Sequence, residues 1–294
     1  MPQGINKLVV VGVGLIGGSF SLALKRAGLV RCVVGVGRSL ENLERALALG
    51  VVDQITQDLV AALPGADLVL LATPVGQMPE LMSAMADALD PGTMVSDAGS
   101  TKGDVSEMMR RCLPRQLTRC VPAHPIAGSE LSGAAAAQYG LYENRNVVLA
   151  PLAETDAEAV DRVAALWQAC GARIHRMSAA EHDQVFASVS HLPHLLAFSY
   201  VNMIADQADA QRCLDFASTG FRDFTRIAGS SPEMWRDICL ANRDALLAEL
   251  AAYRTALERL TQQIEQQDAP ALSRYFARAR QVRVAWHQKF QRKA

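Results

Sequence analysis

The chain has few rings to build with: aromatic residues fill 5% of its 294 positions. A core made from alanine and other small side chains instead favours close helix packing and a large helical share. It also lacks an excess of either charge, since 29 Lys and Arg face 30 Asp and Glu, for a net charge of -1. That balance argues against a general nucleic-acid binder, which carries a basic surplus. No apolar run approaches the ~18 residues that cross a bilayer. The first residues lack the cationic start, apolar middle and small-residue cleavage site of a secretory signal. A soluble, cytoplasmic protein with no membrane or nucleic-acid partner is expected. The six cysteines are scattered, with no CxxC and no clustered Cys/His spacing. They read as reduced residues, not as a disulfide frame or a zinc site. What the chain does have is a hydrophobic share of 50%, ample for a folded core.

Short β-branched runs alternate with helical patterns through the first half. Residues 7–11, 32–36, 67–72, 94–96, 119–122 and 146–149 are strand-like, and 18–27 and 40–49 are helical. The run DLVLLA at 67–72 is apolar throughout, as in a strand buried on both faces. Such alternation predicts a parallel sheet with helices on both sides. After about Arg176 the period changes. From Ser178 onward the pattern is helical, broken at Pro193, at 229–232 and at Pro270. Between the last two breaks Trp235, Ile238, Asn242, Leu246, Leu250, Tyr253, Leu257, Leu260 and Ile264 recur every three or four residues. One long amphipathic helix is predicted there, its seam packed on this chain or on a second subunit. The division expected is 1–176 for an α/β domain and 177–294 for an all-helical one.

Gly12-Val13-Gly14-Leu15-Ile16-Gly17 carries the spacing G-x-G-x-x-G between a strand and a helix. In that context Gly12 allows the tight turn, Gly14 lets backbone approach a pyrophosphate, and Gly17 lets helix pack on strand. The pyrophosphate would rest on the helix N-terminus beside Leu15 and Ile16. The second strand ends in Gly35-Val36-Gly37-Arg38-Ser39, without the carboxylate that usually holds an NAD ribose. Arg38 can pair with a 2′-phosphate and Ser39 can donate to it, which favours NADP over NAD. The alternative is a solvated Arg38 with Glu41 taking the ribose. Thr73 and Pro74 follow the strand at 67–72 and either line the cofactor cleft or form an ordinary loop.

His124 stands between Pro122 and Pro125, which restrict the backbone and hold the imidazole. A histidine so mounted beside a nicotinamide suits a general base that removes a hydroxyl proton. A structural loop histidine is the alternative from this residue alone. The runs GVGLIGGS, DAGSTKG, HPIAGSE, SHLPH and FRDFTRIAGSSPEMWRDI occur in that order. Together they resemble the prephenate/arogenate (cyclohexadienyl) dehydrogenase family of tyrosine biosynthesis, from about Lys7 to about Leu260.

The resemblance implies a Rossmann-type α/β nucleotide-binding domain followed by an all-α domain that forms a homodimer. It implies oxidative decarboxylation of arogenate or prephenate. By the same likeness His124 takes the ring hydroxyl proton, Ser100 hydrogen-bonds that hydroxyl and His124, and Arg226 holds the substrate carboxylate. Ser190 and His194 shape the pocket, and Trp235 forms its wall or packs its helix. Glu130 pairs with Arg226 across the cleft. No metal is expected, because the nicotinamide is the electron sink. His191 and His194 share a helix face but lack a third ligand. His182, His287 and His175 read as surface residues. Lys102 binds an acid or lies on the surface. Nothing ahead of the glycine loop and little after the helical region predict neither a fused chorismate mutase nor a C-terminal regulatory domain. One rival is another β-hydroxyacid-type dehydrogenase, but that class relies on a lysine in its helical half, and here none occurs there before Lys289. The other is a non-catalytic NADP sensor, which would need no convergence of His124, Ser100 and Arg226.

Overall fold

The computed structural model describes residues 4–128 and 131–291, the side chains of 289–291 excepted. The first strand and helix are β1 (Ile5–Val11) and α1 (Leu15–Arg26). The α/β alternation continues through β2 (Val30–Val36), α2 (Leu40–Ala48), β3 (Gln54–Thr56), α3 (Leu59–Ala62) and β4 (Leu68–Leu71). It ends with α4 (Met78–Met85), β5 (Met94–Asp97), α5 (Gly103–Cys112) and β6 (Cys120–Val121). These six strands form one parallel sheet in the order β3-β2-β1-β4-β5-β6. This is the doubly wound order in which helices cover both faces and ligands bind beyond the carboxyl ends of the strands.

Both faces are buried, and β1 shows it residue by residue. Leu8 and Val10 enter one apolar cluster, and Val9 and Val11 enter the other. Alternate side chains of a strand point to opposite faces, so a run apolar throughout belongs in a covered sheet. One cluster is closed by Trp167, wholly buried, with Phe20 4.3 Å and Tyr142 5.0 Å from its ring centre. The Tyr142 hydroxyl donates to the Ile16 carbonyl at 2.5 Å, which fastens the first turn of α1.

The strand expected at 146–149 forms, but it lies outside the parallel sheet, in a second, three-stranded one. This second sheet comprises β7 (Ala123–Pro125), β8 (Asn146–Leu149) and β9 (Arg173–Arg176), with α6 (Ala157–Ala169) before its last strand. β7 runs antiparallel to β8, and β8 parallel to β9. Two of these strands are too short or too charged (Ala-His-Pro and Arg-Ile-His-Arg) to stand out as hydrophobic runs.

The remainder is helical: α7 (Ala179–Phe186), a π turn (Ala187–His191), α8 (Leu192–Ala205), α9 (Ala210–Asp215) and α10 (Thr219–Thr225). A 3-10 turn (Arg226–Gly229), α11 (Pro232–Ala241), α12 (Arg243–Glu265) and α13 (Ala269–Gln291) follow. Pro193 does not break the helix. It sits in the first turn of α8, and the wide π turn before it carries the helical path through. The long seam helix is two helices, α11 and α12. They part at Asn242, whose backbone leaves the helical region and whose side chain is used elsewhere, as described below.

By contacts the chain falls into two compact units, Met1–Arg243 and Asp244–Ala294. The second holds most of α12 and all of α13, where the Asp268 carboxylate accepts from the Ala271 N–H at 2.9 Å. Tyr253, Leu257, Ile264, Phe276 and Trp286 on these helices are exposed in the single chain. Among the described residues no helix is long and apolar enough to cross a membrane.

Candidate active site

The glycine loop turns between β1 and α1 as its spacing predicts. Gly12 has φ +95°, and a Cβ there would lie 2.7 Å from the Ala72 carbonyl oxygen. A Cβ on Gly17 would lie 2.6 Å from the Gly12 carbonyl oxygen and 2.7 Å from Val10 Cγ1. Gly14, the N-cap of α1, has nothing among the described residues within 4 Å of such a Cβ. Two glycines are therefore demanded by packing, and the third leaves open space beside the N–H groups of the first turn at Leu15 and Ile16. A dinucleotide pyrophosphate fits such a cradle. Gly12 also abuts Thr73 at the end of β4, and Gly99 abuts Val75, just past Pro74. The Thr73 hydroxyl oxygen is buried on this crest, without a hydrogen-bond partner among the described residues. At the end of β2 Arg38 and Ser39 are exposed, and Ser39 caps α2 by accepting from the Asn42 N–H at 3.2 Å.

The loop after β5 carries Ser100, half-buried, on a rigid base. Asp97, fully buried, accepts from the Gly99 N–H at 2.7 Å and from the Ala123 N–H at 3.0 Å. It also pairs with the Lys102 ammonium. Lys102 is fully buried, so it is neither a surface residue nor open to a ligand. Its charge is spent on Asp97, and the pair ties the Ser100 loop to β7, the strand that bears His124.

His124 is 9% exposed. Its Nδ1 lies 2.8 Å from His182 Nε2, and His182 Nδ1 lies 2.8 Å from Asp183 Oδ1. Asp183 in turn accepts from the backbone N–H groups of Lys102 at 2.8 Å and Gly103 at 2.7 Å. His182 is thus not a surface residue but wholly buried. The signal for this was its spacing, since His182 and Phe186 lie one turn apart on α7 and both meet the His124 ring. Burial pushes the His124 imidazole well below the ordinary histidine value, and His182, Lys102 and His191 push the same way. Burial also lowers His182, against the pull of Asp183. Burial works to raise the Asp183 carboxyl, but the bonds from His182 and the two backbone N–H groups outweigh it and hold the carboxyl below its usual range.

The helical side of the site follows. His191, fully buried, is lowered to about 4, chiefly by burial. The Asn242 amide donates to the Asp183 carbonyl at 2.8 Å and meets His191 Nδ1 at 3.0 Å. That use explains why the chain breaks helix at Asn242. His194 Nδ1 donates to the Ser190 carbonyl at 2.8 Å, and its ring stacks on Trp235 at 3.8 Å. Burial lowers His194, the Ser190 carbonyl opposes, and the nearby Arg226 cation adds to the fall. Trp235 Nε1 is buried without a hydrogen-bond partner among the described residues. Arg226 is exposed at the start of its 3-10 turn. His175 and His287 are exposed, and Glu130 lies outside the described residues. Among the described residues no three His, Cys, Asp or Glu side chains gather as metal ligands would.

Comparison with known proteins decides what this arrangement belongs to. The prephenate dehydrogenase nucleotide-binding domain model matches residues 20–176, and the prephenate dehydrogenase dimerization domain model matches 178–278. The chain belongs to the prephenate dehydrogenase family. Prephenate dehydrogenase from Bacillus subtilis is 36% identical over 96% of this chain and 76% of its own length. Cyclohexadienyl dehydrogenase from Zymomonas mobilis is 36% identical over 95% of each. Among solved structures, prephenate dehydrogenase from A. aeolicus with hydroxyphenyl propionate and NAD+ superposes with a TM-score of 0.90 at 32% identity, covering 96% of this chain and 98% of that one. Synechocystis arogenate dehydrogenase gives 0.80 at 30% identity, over 95% and 99%. The fold is thus the Rossmann-type domain with a helical C-terminal region found in this family. The chain is a prephenate or arogenate dehydrogenase, an oxidoreductase of tyrosine biosynthesis dependent on a nicotinamide dinucleotide.

Proposed function

We propose that this prephenate dehydrogenase family member oxidatively decarboxylates prephenate, arogenate or both, with His124 as the base and NADP preferred over NAD. The observation that carries the reading is His124 itself: buried, neutral, and among the described residues anchored through one ring nitrogen, Nδ1, beside the loop of Ser100. Its other nitrogen is free to take the proton of the ring C4 hydroxyl. Ser100 donates to or accepts from that hydroxyl and orients it. The bound nicotinamide supplies the two-electron acceptor for the C4 hydrogen. As the C4 oxygen loses its proton, the bond to the ring carboxylate breaks, CO₂ leaves, and its electron pair completes the aromatic ring. Arg226 holds a substrate carboxylate, for which a permanently charged fork is suited. Ser190 and His194 line the ring pocket. Trp235, stacked on His194, walls it and has an indole N–H to offer.

Gly12, Gly14, Leu15, Ile16 and Gly17 cradle the pyrophosphate, with Thr73 and Pro74 along the cleft. The support for NADP is the absence of a carboxylate at the end of β2 together with the exposed Arg38 and Ser39 there. The residue range 1–176 serves the nucleotide, and 177–294 serves substrate and pairing of two subunits.

The test is a rise in reduced-nicotinamide absorbance with purified enzyme, both dienols and both cofactors. Activity on neither dienol would sink the substrate reading. Activity with NAD but not NADP would sink the role of Arg38 alone.

A further inference from the structure

His124, His182 and Asp183 lie in a line of two 2.8 Å contacts, all buried and reaching 58 residues along the chain. The protons on that line can be assigned from its far end. The Asp183 carboxylate, reaching from α7, already accepts two backbone N–H groups at the start of α5, so it is an acceptor only. His182 must therefore carry its proton on Nδ1, and its Nε2 presents a lone pair. His124 Nδ1 must donate to that lone pair, which leaves His124 Nε2 bare. A ring nitrogen takes its role from the bond that the other nitrogen makes.

We propose that His182 and Asp183 are positioning residues that fix His124 in its Nδ1–H tautomer and spread the charge it acquires. The inference rests on the reading of His124 as the base. A proton arriving on His124 Nε2 makes an imidazolium whose Nδ1–H points at His182 Nε2. Handing that proton on leaves His124 neutral and puts the cation against the Asp183 carboxylate. No proton is created or lost, and none needs to reach solvent during the step. The arrangement follows the logic by which a buried carboxylate orients a catalytic histidine, with one more imidazole inserted between them. Among the described residues the charged and titratable groups acting on the pair are Lys102 and Asp97, His191 on the π turn, and Asp104 near Asp183. Lys102 is neutralised by Asp97 and His191 is neutral, so among the described residues Asp183 is the negative charge that the imidazole pair meets directly, through His182.

The tautomer is read by nitrogen NMR on the full chain labelled at histidine, with His124 assigned by the signal lost in His124→Gln. The expected wild-type state carries the proton on Nδ1, and a His124 protonated on Nε2 overturns the proposal whatever the variants do. Asp183→Asn is expected to lower kcat on the order of a hundredfold with cofactor affinity unchanged. The acid limb of kcat/KM should move to lower pH, because the cation has lost its counter-charge. His182→Phe should lose activity similarly, and His182→Gln, which keeps an acceptor, should recover part of it. A fall in kcat with the tautomer and the acid limb both at wild-type positions would mark a merely structural role and overturn the proposal. So would full kcat in His182→Phe. Full activity in His124→Gln would instead overturn the reading of the base itself, and the proposal with it.

Discussion

At the scale of single residues, the glycines of the nucleotide loop separate folding from binding. A methyl at Gly17 has no room, with the Gly12 carbonyl at 2.6 Å and Val10 at 2.7 Å. Gly17→Ala is expected to cost about 1–3 kcal/mol of stability, read as a fall in the urea midpoint. Gly14→Ala meets nothing among the described residues within 4 Å, so its urea midpoint should stay put while cofactor affinity falls in a fluorescence titration. Arg38→Asp supplies the missing ribose acceptor and removes the phosphate partner, so the ratio of kcat/KM for NADP over NAD should fall by tenfold or more, about 1.4 kcal/mol. These sites were legible because their chemistry is local: a spacing, a strand end, a flanking proline. His182 and Lys102 were not, because their partners are set by the tertiary fold. Nothing within a few residues of Lys102 says that Asp97 will neutralise it in a dry interior, and His182 meets His124 only once α7 lies on β7.

At the scale of elements, the turn after β5 is held by one buried ion pair. Lys102→Met leaves Asp97 charged and buried with two backbone donors for company. Breaking a buried pair by removing one partner costs ~3–5 kcal/mol, so the thermal midpoint should drop well beyond that of a surface lysine variant. The loss should fall on kcat as well, since Asp97 also accepts from Ala123 beside His124. The central strands could be read from the sequence since β1, β2 and β4 are apolar on both faces. The small second sheet could not, as β7 is three residues long and β9 carries two arginines. The split of the seam helix at Asn242 was hidden for a related reason. Asparagine fits the 3.6-residue period well enough by position, and only its bonds to Asp183 and His191 reveal why the helix stops there.

For the whole molecule, acid is the weak side. His124, His182, His191 and His194 all hold protons less well folded than unfolded. Between the folded and unfolded values the unfolded chain binds more protons, so stability falls as pH falls. For His191 that window runs from 6.5 down to about 4. Asp183, held low in the fold, adds a loss of the same sign as pH falls through its folded value. Urea midpoints should therefore decline steadily on acidification below about pH 6.5; a flat profile would contradict the burial of these rings. The exposed apolar side chains of α12 and α13 fit the pairing of two subunits, so light scattering should give twice the chain mass. The π turn Ala187–His191 has its effect through rotation. Each residue of a regular α-helix turns the path by about 100°, which over the nine residues from His182 to His191 would set the rings about 180° apart. A π turn absorbs one residue without advancing the winding, and the angle closes to about 80°. One surplus residue thus works as a rotary offset, aiming a single continuous helix at the strand of His124 with one histidine and at the helix of Trp235 with another. Excising Ser188 would rewind that helix and swing one of the two rings away from its partner.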